Sequence, residues 1–396
     1  MVTTAVQISC HSSKDSHVHD HDTHLFIPIS LYYIYRRSVT CFSTAYDNRT
    51  RLRIVSGVVC VLIFFLTFFP RFLSLEPSIF SRVVYLIGDI FFGVVFATLF
   101  GLSVGHFISF LYFHYADPPD PKYPLTSWWL GVFISFFILL IGFLVSTNVQ
   151  ITHYSVDFDL SHPVRLGVVG DVHLNGVQYR NQILHKIKNF SLEYDVDYLL
   201  LLGDIIDVRN PSEVFKATSI DLSIINHEST NSTVIGILGN HDRMSDSDEV
   251  SELLQSAEIT VLKNEEFPIS EQIQFFGIDD FPSDSDSSLE QLNSYLEHNA
   301  TSSTELLIVL NHQPHDSIID RLKRQQSSIN YLFLAAHTHK GQAWPFTFFV
   351  PLFFSHFYGH YSHSDSFSTI VTSGVGTWGP PVRIGSRSEY VVIDIK

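Results

Sequence analysis

Cysteine is scarce in this 396-residue chain and absent from most of it. The three cysteines are Cys10, Cys41 and Cys60, so the part of the chain after residue 60 has neither an internal disulfide nor a thiolate metal site. Any metal bound there must be held by nitrogen and oxygen ligands. Because a domain without cysteine can work on either side of a membrane, the redox compartment is left open.

Basic residues are also scarce after residue 150. Residues 1–150 hold 9 Lys and Arg against 8 Asp and Glu, whereas residues 151–396 hold 15 against 32. A domain with this acidic excess repels the phosphate backbone of a nucleic acid, so neither DNA nor RNA is expected as a partner. The length of the chain and the contrast between its two parts predict at least two structural units.

Long apolar runs, by contrast, are concentrated before residue 150. Three of them, 54–69, 83–113 and 128–145, contain almost no charged residue. A membrane-spanning helix needs about 20 apolar residues, and this part of the chain offers nothing that could bury three such runs in a soluble core. The sequence therefore predicts a membrane anchor of about three transmembrane helices over residues 53–150, preceded by a partly disordered cytoplasmic tail over residues 1–52.

Basic residues beside the apolar runs predict the orientation of the chain. Five arginines lie within residues 36–53, before the first run, and no basic residue follows the third run until Arg165. Because basic residues are retained on the cytoplasmic side, we expect a cytoplasmic N-terminus. With three spans, the protein is an integral, multi-pass membrane protein whose C-terminal domain is extracellular or luminal; a different number of spans would invert that side.

From residue 151 onward, short apolar strands alternate with helical segments. Strands are predicted at 164–169, 198–202, 234–238, 306–310 and 331–335, and amphipathic helices for instance at 177–192 and 314–325. This alternation predicts a layered α/β domain over residues 151–396, preceded by the transmembrane helical region.

Each of the five predicted strands ends in residues that commonly bind metal. These residues are Asp171 and His173; Asp204 and Asp207; Asn240, His241 and Asp242; His312; and His337 and His339. Because ligand sites in open α/β sheets lie at the carboxyl ends of the strands, we expect these side chains to converge. One such motif arises by chance in many proteins, whereas the ordered set of five favours a shared site.

The ligand types indicate the chemistry of this site. Carboxylate and amide oxygens combined with imidazole nitrogens suit two divalent ions such as Mn, Zn or Fe. One carboxylate can bridge two ions about 3.5–4 Å apart, and the pair lowers the pKa of a shared water so that hydroxide attacks phosphorus. A further imidazole can donate a proton to the leaving oxygen. The pattern therefore predicts metal-dependent hydrolysis of a phosphate ester or anhydride.

The order of these motifs resembles the calcineurin-like metallophosphoesterase superfamily. The motifs GDVH, GD, GNHD, H and HTH carry the resemblance, which covers about residues 160–396. The ending HTHKGQ and the later SGVGTWGPPVRIGSRSEY at 373–390 are similar to its YkuE-like, often membrane-attached branch. The resemblance implies a layered metallophosphoesterase sandwich and the activity of a phosphoric ester hydrolase.

The resemblance also implies a role for individual residues. Asp171, His173, Asp204 and His339 would hold one metal, and Asp204, Asn240, His312 and His337 the other, with Asp204 bridging. His241 would be the catalytic histidine, and Asp242 would orient it. The chain departs from the family at Ala336, where many members have glycine, and at Lys340–Gly341, where the branch often has two glycines. Both departures lie outside the implied ligand set.

An aromatic segment, Trp344 to Tyr361, follows the last metal motif. Pro345 and Pro351 interrupt it, so a spanning helix is excluded. Two interpretations are open. The segment either packs into the core or forms an apolar lip that enters the membrane interface beside the crevice.

The leading hypothesis is a membrane-anchored phosphoesterase that acts on a lipid-linked or membrane-proximal substrate, such as a phospholipid or a glycolipid. Membrane lipids and this substrate are the expected partners, and no protein partner is predicted. A plain phosphomonoesterase fits the same motifs. The alternative from another class is a catalytically silent binding or scaffold protein on the same fold. A transporter is disfavoured because only Asp89 and His106 are ionisable within the spans.

Overall fold

The computed structural model describes residues 29–39, 49–72, 79–114, 123–175, 181–226, 232–270, 272–279, 285–298, 304–325 and 329–396. The prediction of a disordered tail falls mostly outside the described residues. The described residues form two compact units. The first lies within residues 1–69 and 91–137, and the second within residues 70–90 and 138–396.

The described part of the N-terminal region is helical. Its helices are α1 (29–39), α2 (Arg49–Phe72), α3 (Ile79–His114) and α4 (Tyr123–Thr147). The stretches Val83–Tyr112 and Thr126–Thr147 are long and apolar enough to cross a membrane, and only 22% of the most apolar window of each is buried. Since a core helix of a soluble protein is mostly buried, these two helices suggest a membrane association.

The first predicted span, 54–69, lies within the 24 residues of helix α2. Helix α2 has an apolar stretch, Arg53–Ile63, that falls short of a spanning length among the residues described. Among the described residues, two helices therefore have the length and composition of a membrane span. The presence of three transmembrane helices stays a prediction.

Small residues bring α3 and α4 close together within the first unit. A Cβ atom at Gly101 would lie 2.5 Å from the carbonyl oxygen of Gly131, and one at Gly105 would lie 2.7 Å from the backbone nitrogen of Gly131. Ser135, four residues after Gly131, donates its hydroxyl to the Gly131 carbonyl at 2.7 Å. Small residues spaced by four are the packing pattern of membrane helices, because they let the two backbones approach.

The second unit is built on two mixed sheets of six strands each over the described residues. The first sheet has the order β1 (Gln150–Val156), β12 (Glu389–Ile395), β2 (Val164–Val169), β3 (Tyr198–Leu202), β4 (Thr233–Ile237) and β5 (Thr260–Val261). The second has the order β10 (Gly359–Ser364), β11 (Phe367–Val371), β9 (Asn330–Ala335), β8 (Leu306–Leu310), β7 (Ile273–Gly277) and β6 (Glu265–Pro268). The five predicted strands correspond to β2, β3, β4, β8 and β9.

Neighbouring strands at the centre of both sheets are parallel, from β2 to β5 and from β7 to β9. Apolar residues from both sheets pack against one another between them, for example Leu200, Ile235, Phe275 and Ile308. The outer face of the first sheet packs on α5 (Asn181–Glu193), α6 (Pro211–Thr218) and α7 (Asn240–Ser256). The outer face of the second packs on α8 (Ser285–His298) and α9 (Asp316–Lys323).

These central strands are covered on both faces, which is why they are continuous apolar runs in the sequence. The predicted layered α/β sandwich, preceded by apolar helices, is therefore confirmed. Its parallel strands end at one edge, where the polar motifs follow.

Candidate metal centre

Both sheets contribute to one cluster of side chains at the carboxyl ends of their strands. Asp171 and His173 follow β2, Asp204 and Asp207 follow β3, and Asn240 begins α7 directly after β4. From the second sheet, His312 follows β8, and His337 and His339 follow β9. The structure thus brings together all seven residues that were predicted to bind metal, and the contacts below define two adjacent groups of them.

Backbone strain accompanies these side chains. Asp171, His173, Asp204, His337 and His339 have φ angles of 53°, 51°, 50°, 68° and 47°, in the left-handed region that side chains rarely adopt. Each such residue costs about 1–3 kcal/mol and persists only where the surrounding structure imposes it. Nine other non-glycine residues of the described chain also have positive φ angles, so the cluster is distinguished by containing five such residues side by side.

The first group consists of Asp171, His173 and His339, all buried. The Nε2 atoms of His173 and His339 lie 3.1 Å apart, and His339 Nε2 lies 3.8 Å from Asp171 Oδ1. Burial, together with the neighbouring His173 and the Arg383 guanidinium, holds the pKa of His339 well below its ordinary value. The ring is therefore neutral, as a metal ligand requires.

Asp171 shows that this group fits a cation. Its Oδ2 atom is buried and has no hydrogen-bond partner among the described residues. Burial raises the pKa of Asp171 to about 6. A buried carboxylate oxygen without a partner is costly, and a bound cation would provide the missing partner. The donor set of one carboxylate and two imidazoles suits a divalent ion of the Mn, Zn or Fe kind.

The second group consists of Asp204, His312 and His337, with Asn240 beside it. His312 Nε2 lies 3.2 Å from Asp204 Oδ2, 3.2 Å from Asn240 Oδ1 and 3.2 Å from His337 Nδ1. On its other side, His312 Nδ1 donates to the Leu202 carbonyl at 2.7 Å. That bond places the ring proton on Nδ1, so the Nε2 lone pair points into the group.

Asp204 lies between the two groups. Its Oδ2 atom is 3.2 Å from His312 Nε2 and 3.8 Å from His173 Nε2, while its Oδ1 accepts the backbone N–H of His241 at 2.8 Å. Burial alone would raise the pKa of Asp204, but His312, His241 and His173 hold it well below its ordinary value. An ionised carboxylate in this position is suited to contact two cations at once.

His241 and His173 share a carboxylate, Asp207. The Oδ1 atom of Asp207 lies 3.0 Å from His241 Nδ1, and its Oδ2 lies 3.1 Å from His173 Nδ1. Burial lowers the pKa of His241, but Asp207 and Asp204 outweigh burial and raise the pKa to about 9. His241 is therefore a cationic proton donor whose Nε2 is not engaged by Asp207.

The structure corrects the role expected for Asp242. This fully buried side chain accepts the backbone N–H groups of Gly239, Ile205 and Ile206 at 2.9, 3.0 and 2.7 Å. Asp242 thus joins the start of α7 to the loop after β3. The carboxylate that contacts the His241 ring is Asp207. The sequence pattern identifies Asp207 only as a residue of a type that binds metal. The signal for it was a second carboxylate three positions after Asp204.

Arg383 is a second residue of the site that sequence reasoning missed. It is fully buried, and its guanidinium donates to the carbonyls of Ser373 at 2.8 Å and Arg387 at 3.0 Å. The same guanidinium lies 3.3 Å from His339 Nδ1. Arg383 therefore holds the 373–387 loop against the metal-binding segment. The only sequence signal was its place within the branch-like motif at 373–390.

Aromatic side chains border the cluster on two sides. The Phe354 ring is 5.7 Å from the His337 ring, and the Trp378 ring is 6.5 Å from the His241 ring, both centroid to centroid. Gln342, just after the last metal motif, holds the Trp378 backbone in place. Its Oε1 accepts the Trp378 N–H at 2.8 Å and its Nε2 donates to the Trp378 carbonyl at 2.9 Å.

The first half of the aromatic segment is exposed, contrary to the core-packing interpretation. Phe348, Leu352 and Phe353 are 69%, 71% and 78% exposed. This half contains the short helix α10 (Phe346–Phe349), and the second half enters β10. We use the term lip for residues 344–354.

Comparison with known proteins identifies the domain that carries this cluster. Residues 164–341 match the family model of calcineurin-like phosphoesterases. The chain is 26% identical over 276 residues to an uncharacterized metallophosphoesterase of Helicobacter pylori, covering 66% of this chain and 69% of that protein. It is 29% identical over 248 residues to a Danio rerio protein named a transmembrane protein with metallophosphoesterase domain. That match covers 59% of this chain and about half, 53%, of the relative.

Among solved structures, the chain is similar to a purple acid phosphatase from yellow lupin seeds, with a TM-score of 0.35 and 12% identity. The match covers 60% of this chain and 55% of that one. The family model confirms, for residues 164–341, the calcineurin-like phosphoesterase domain predicted from the motifs.

Proposed function

Because this chain carries a calcineurin-like phosphoesterase domain over residues 164–341, we propose that it is a hydrolase of phosphate esters that uses two divalent metal ions. Mn, Zn and Fe are the candidate ions, since the ligands are carboxylate, amide and imidazole groups without a thiolate. We further propose that the protein is an integral, multi-pass membrane protein and that its substrate is linked to a lipid.

One observation carries this proposal, namely that two groups of ligands meet at a single ionised carboxylate. Asp171, His173 and His339 would hold one ion, and Asn240, His312 and His337 the other. Asp204 faces both groups, with Oδ2 at 3.8 Å from His173 Nε2 and 3.2 Å from His312 Nε2. Two ions held in this way would neutralise charge on the phosphate oxygens and make water a better nucleophile.

The residues of the chain supply the proton for the leaving group. In the metal-free protein, Asp207 and Asp204 outweigh burial and raise the pKa of His241 to about 9. When the bond between phosphorus and the leaving oxygen breaks, His241 can transfer its Nε2 proton to that oxygen. Asp207 accepts from Nδ1 at 3.0 Å and so holds the ring in the orientation that directs Nε2 away from the carboxylate.

A catalytically silent scaffold on the same fold is the rival function. Such a protein would gain nothing from five strained ligands or from the unpartnered Oδ2 of Asp171. A bound cation would offset the cost of the unpartnered oxygen, so these features favour a metal-binding site over a scaffold that binds no metal.

Replacing the shared carboxylate tests this function. In the purified full-length protein, Asp204→Asn should lower the metal content and the hydrolysis of p-nitrophenyl phosphate or bis(p-nitrophenyl) phosphate together, because both groups lose their common anionic ligand. The metal content is measured by mass spectrometry. Asp320→Asn, a surface carboxylate that contacts Lys323 at 3.4 Å, is the matched control and should change neither. A wild-type protein that binds metal and hydrolyses neither ester, nor any phospholipid, would favour the scaffold.

A further inference from the structure

The C-terminal end of α4, from Ile138 onward, belongs to the second unit and is fixed to a loop of that unit. We call residues 380–388 the clasp. The backbone N–H of Arg383 donates to the Gly142 carbonyl at 2.9 Å, and the Ser146 hydroxyl donates to the Pro381 carbonyl at 2.9 Å. Ser388 in turn donates its hydroxyl to the Ser146 carbonyl at 3.0 Å. The clasp therefore packs along the last turns of a helix that is apolar enough to span a membrane.

The connection after α4 is short, so the end of this helix lies close to the first strand. Helix α4 ends at Thr147, and β1 begins at Gln150. Strand β1 then pairs with β12, which directly follows the clasp. The end of the apolar helix and the first sheet are thus joined both through the chain and through hydrogen bonds.

The same clasp holds the start of the lip. The Trp344 N–H donates to the Ile384 carbonyl at 2.8 Å, and the Ile384 N–H donates to the Gln342 carbonyl at 3.0 Å. Ala343 also forms isolated bridges with Ile384 and Gly385. Two hydrogen bonds therefore connect α4 to the lip through adjacent residues of the clasp. Arg383 bonds to Gly142 of α4, and Ile384 bonds to Trp344 of the lip.

The lip presents an uncharged apolar surface. Residues 344–354 read WPFTFFVPLFF and include no Lys, Arg, Asp, Glu or His. Trp344, Phe346, Phe348, Phe349, Leu352 and Phe353 are all exposed. Exposed apolar area costs about 25 cal/mol per Å², so a contiguous cluster of this kind favours an apolar environment. Phe and Trp are residues that enter the boundary between lipid headgroups and acyl chains.

We propose that the lip inserts into the bilayer surface at which α4 ends, and that it admits the lipid-linked phosphoester to the metal centre from that side. The attachment of the lip to the end of α4 is the reason to choose a bilayer over a protein as its occupant. The last residue of the lip, Phe354, contacts the ligand His337, so the inserted surface leads to the cluster. The part of the proposal that concerns the substrate rests on the proposed function, whereas insertion does not.

Insertion is measured by tryptophan fluorescence in full-length protein reconstituted in phosphatidylcholine vesicles. The chain has four tryptophans, Trp128, Trp129, Trp344 and Trp378. Replacing the other three with Phe leaves Trp344 as the only tryptophan, which is excited selectively at the red edge of the absorption band. We expect lipids brominated near the headgroup end of their acyl chains to quench Trp344 strongly, and we expect iodide in the water to quench it little.

A control fluorophore calibrates that result. Leu192→Trp, in a protein that lacks the four native tryptophans, reports an exposed apolar position on α5. Iodide should quench it, and brominated lipid should not. If Trp344 behaves like this control, the proposal is overturned. Shielding of Trp344 from both quenchers would mean that a second copy or another protein covers the lip, and this result also overturns the proposal.

The double variant Phe348→Ser, Phe353→Ser tests whether a lipid substrate reaches the metal centre over the lip. The matched control is Leu192→Ser. Both phenylalanines are mostly exposed, so the fold should be retained, which the melting temperature verifies. We expect hydrolysis of a phosphatidate in vesicles to fall by roughly tenfold or more. Hydrolysis of p-nitrophenyl phosphate should stay within about twofold of the wild type, because the metal ligands are untouched.

The outcomes separate the two proposals. Unchanged phosphatidate turnover in the double variant, or an equal loss of both activities, overturns the lip as the entry for substrate. A wild-type protein that hydrolyses neither substrate contradicts the proposed function, while the quenching experiment still decides whether the lip inserts.

Discussion

At the scale of single residues, Asp207 determines what the two histidines beside it can do. It accepts from Nδ1 of both His241 and His173. In His173, the contact between Asp207 and Nδ1 leaves the Nε2 lone pair directed toward the first ligand group. In His241, the same kind of contact stabilises the protonated ring. In the proposed reaction, one carboxylate would therefore prepare one imidazole to bind a cation and the other to release a proton.

Replacing His241 should separate catalysis from metal binding. His241→Ala should lower kcat by roughly 10²–10⁴, the usual contribution of a general acid, while the metal content stays that of the wild type. His185→Ala, an exposed histidine on α5, is the control and should change neither. Loss of both metals in His241→Ala would show that this ring is a ligand rather than the acid.

The charge on His241 should also appear in the stability of the metal-free protein. Its pKa in the folded protein is about 9, above the value of about 6.5 in an unfolded chain. The charged ring thus stabilises the fold fully below about pH 6.5, and this contribution is lost as the pH rises through about 9. In chelator-treated protein, His241→Gln should lower the melting temperature by several degrees near pH 6 and by little at pH 10. If the difference in melting temperature between the wild type and His241→Gln does not change with pH, the ion pair between His241 and Asp207 is excluded.

At the scale of elements, the loop after β11 completes the first ligand group. Gly374 in this loop has a φ angle of 72°, and a Cβ atom there would collide with the Asp171 carboxylate. Arg383 holds the same loop through the carbonyls of Ser373 and Gly374 at 2.8 and 3.2 Å. The position of Asp171 therefore depends on a loop roughly 200 residues later in the chain, because there is no room for a side chain between them.

Two glycines of this loop make a matched test. Gly374→Ala should lower metal content and activity, since the added methyl displaces Asp171. Gly379 has a similar φ angle of 64°, but nothing lies within 4 Å of its would-be Cβ. Gly379→Ala should therefore show only the cost of backbone strain, about 1 kcal/mol, with normal metal content. Equal metal loss in both variants would indicate that strain, rather than the contact with Asp171, causes the effect.

At the scale of the whole molecule, the proposed membrane topology depends on whether α2 spans the bilayer. Helices α3 and α4 each contain a stretch long enough to span. The apolar run 54–69 of α2 would reach about 24 Å, below the roughly 30 Å of a hydrocarbon core. If α2 spans by thinning the bilayer or by extending its flanks, three spans place the domain outside the cytoplasm or in a lumen; if it does not span, the domain shares the side of the residues before α3.

Fractionation and protease access test this topology. The full-length protein should resist extraction at high pH, because its apolar helices remain in the bilayer. With three spans, protease should digest the domain in right-side-out vesicles. Digestion only after the vesicles are inverted would show that an even number of helices cross the membrane. Release of the protein at high pH would contradict integral insertion altogether.

The sequence by itself determined five of the twelve strands of the described residues, the side-chain types that follow those strands, and the phosphoesterase domain. Periodicity and the nature of a side chain are local properties, so β2 and β8, which are buried on both faces, are apparent as apolar runs that end in Asp171 and His312. Tertiary structure decided which carboxylate contacts His241, why Arg383 is buried, and that the lip is exposed beside the end of α4. These outcomes depend on distances between residues that lie far apart in the sequence, such as the 34 positions from Asp207 to His241, and local patterns do not encode such distances.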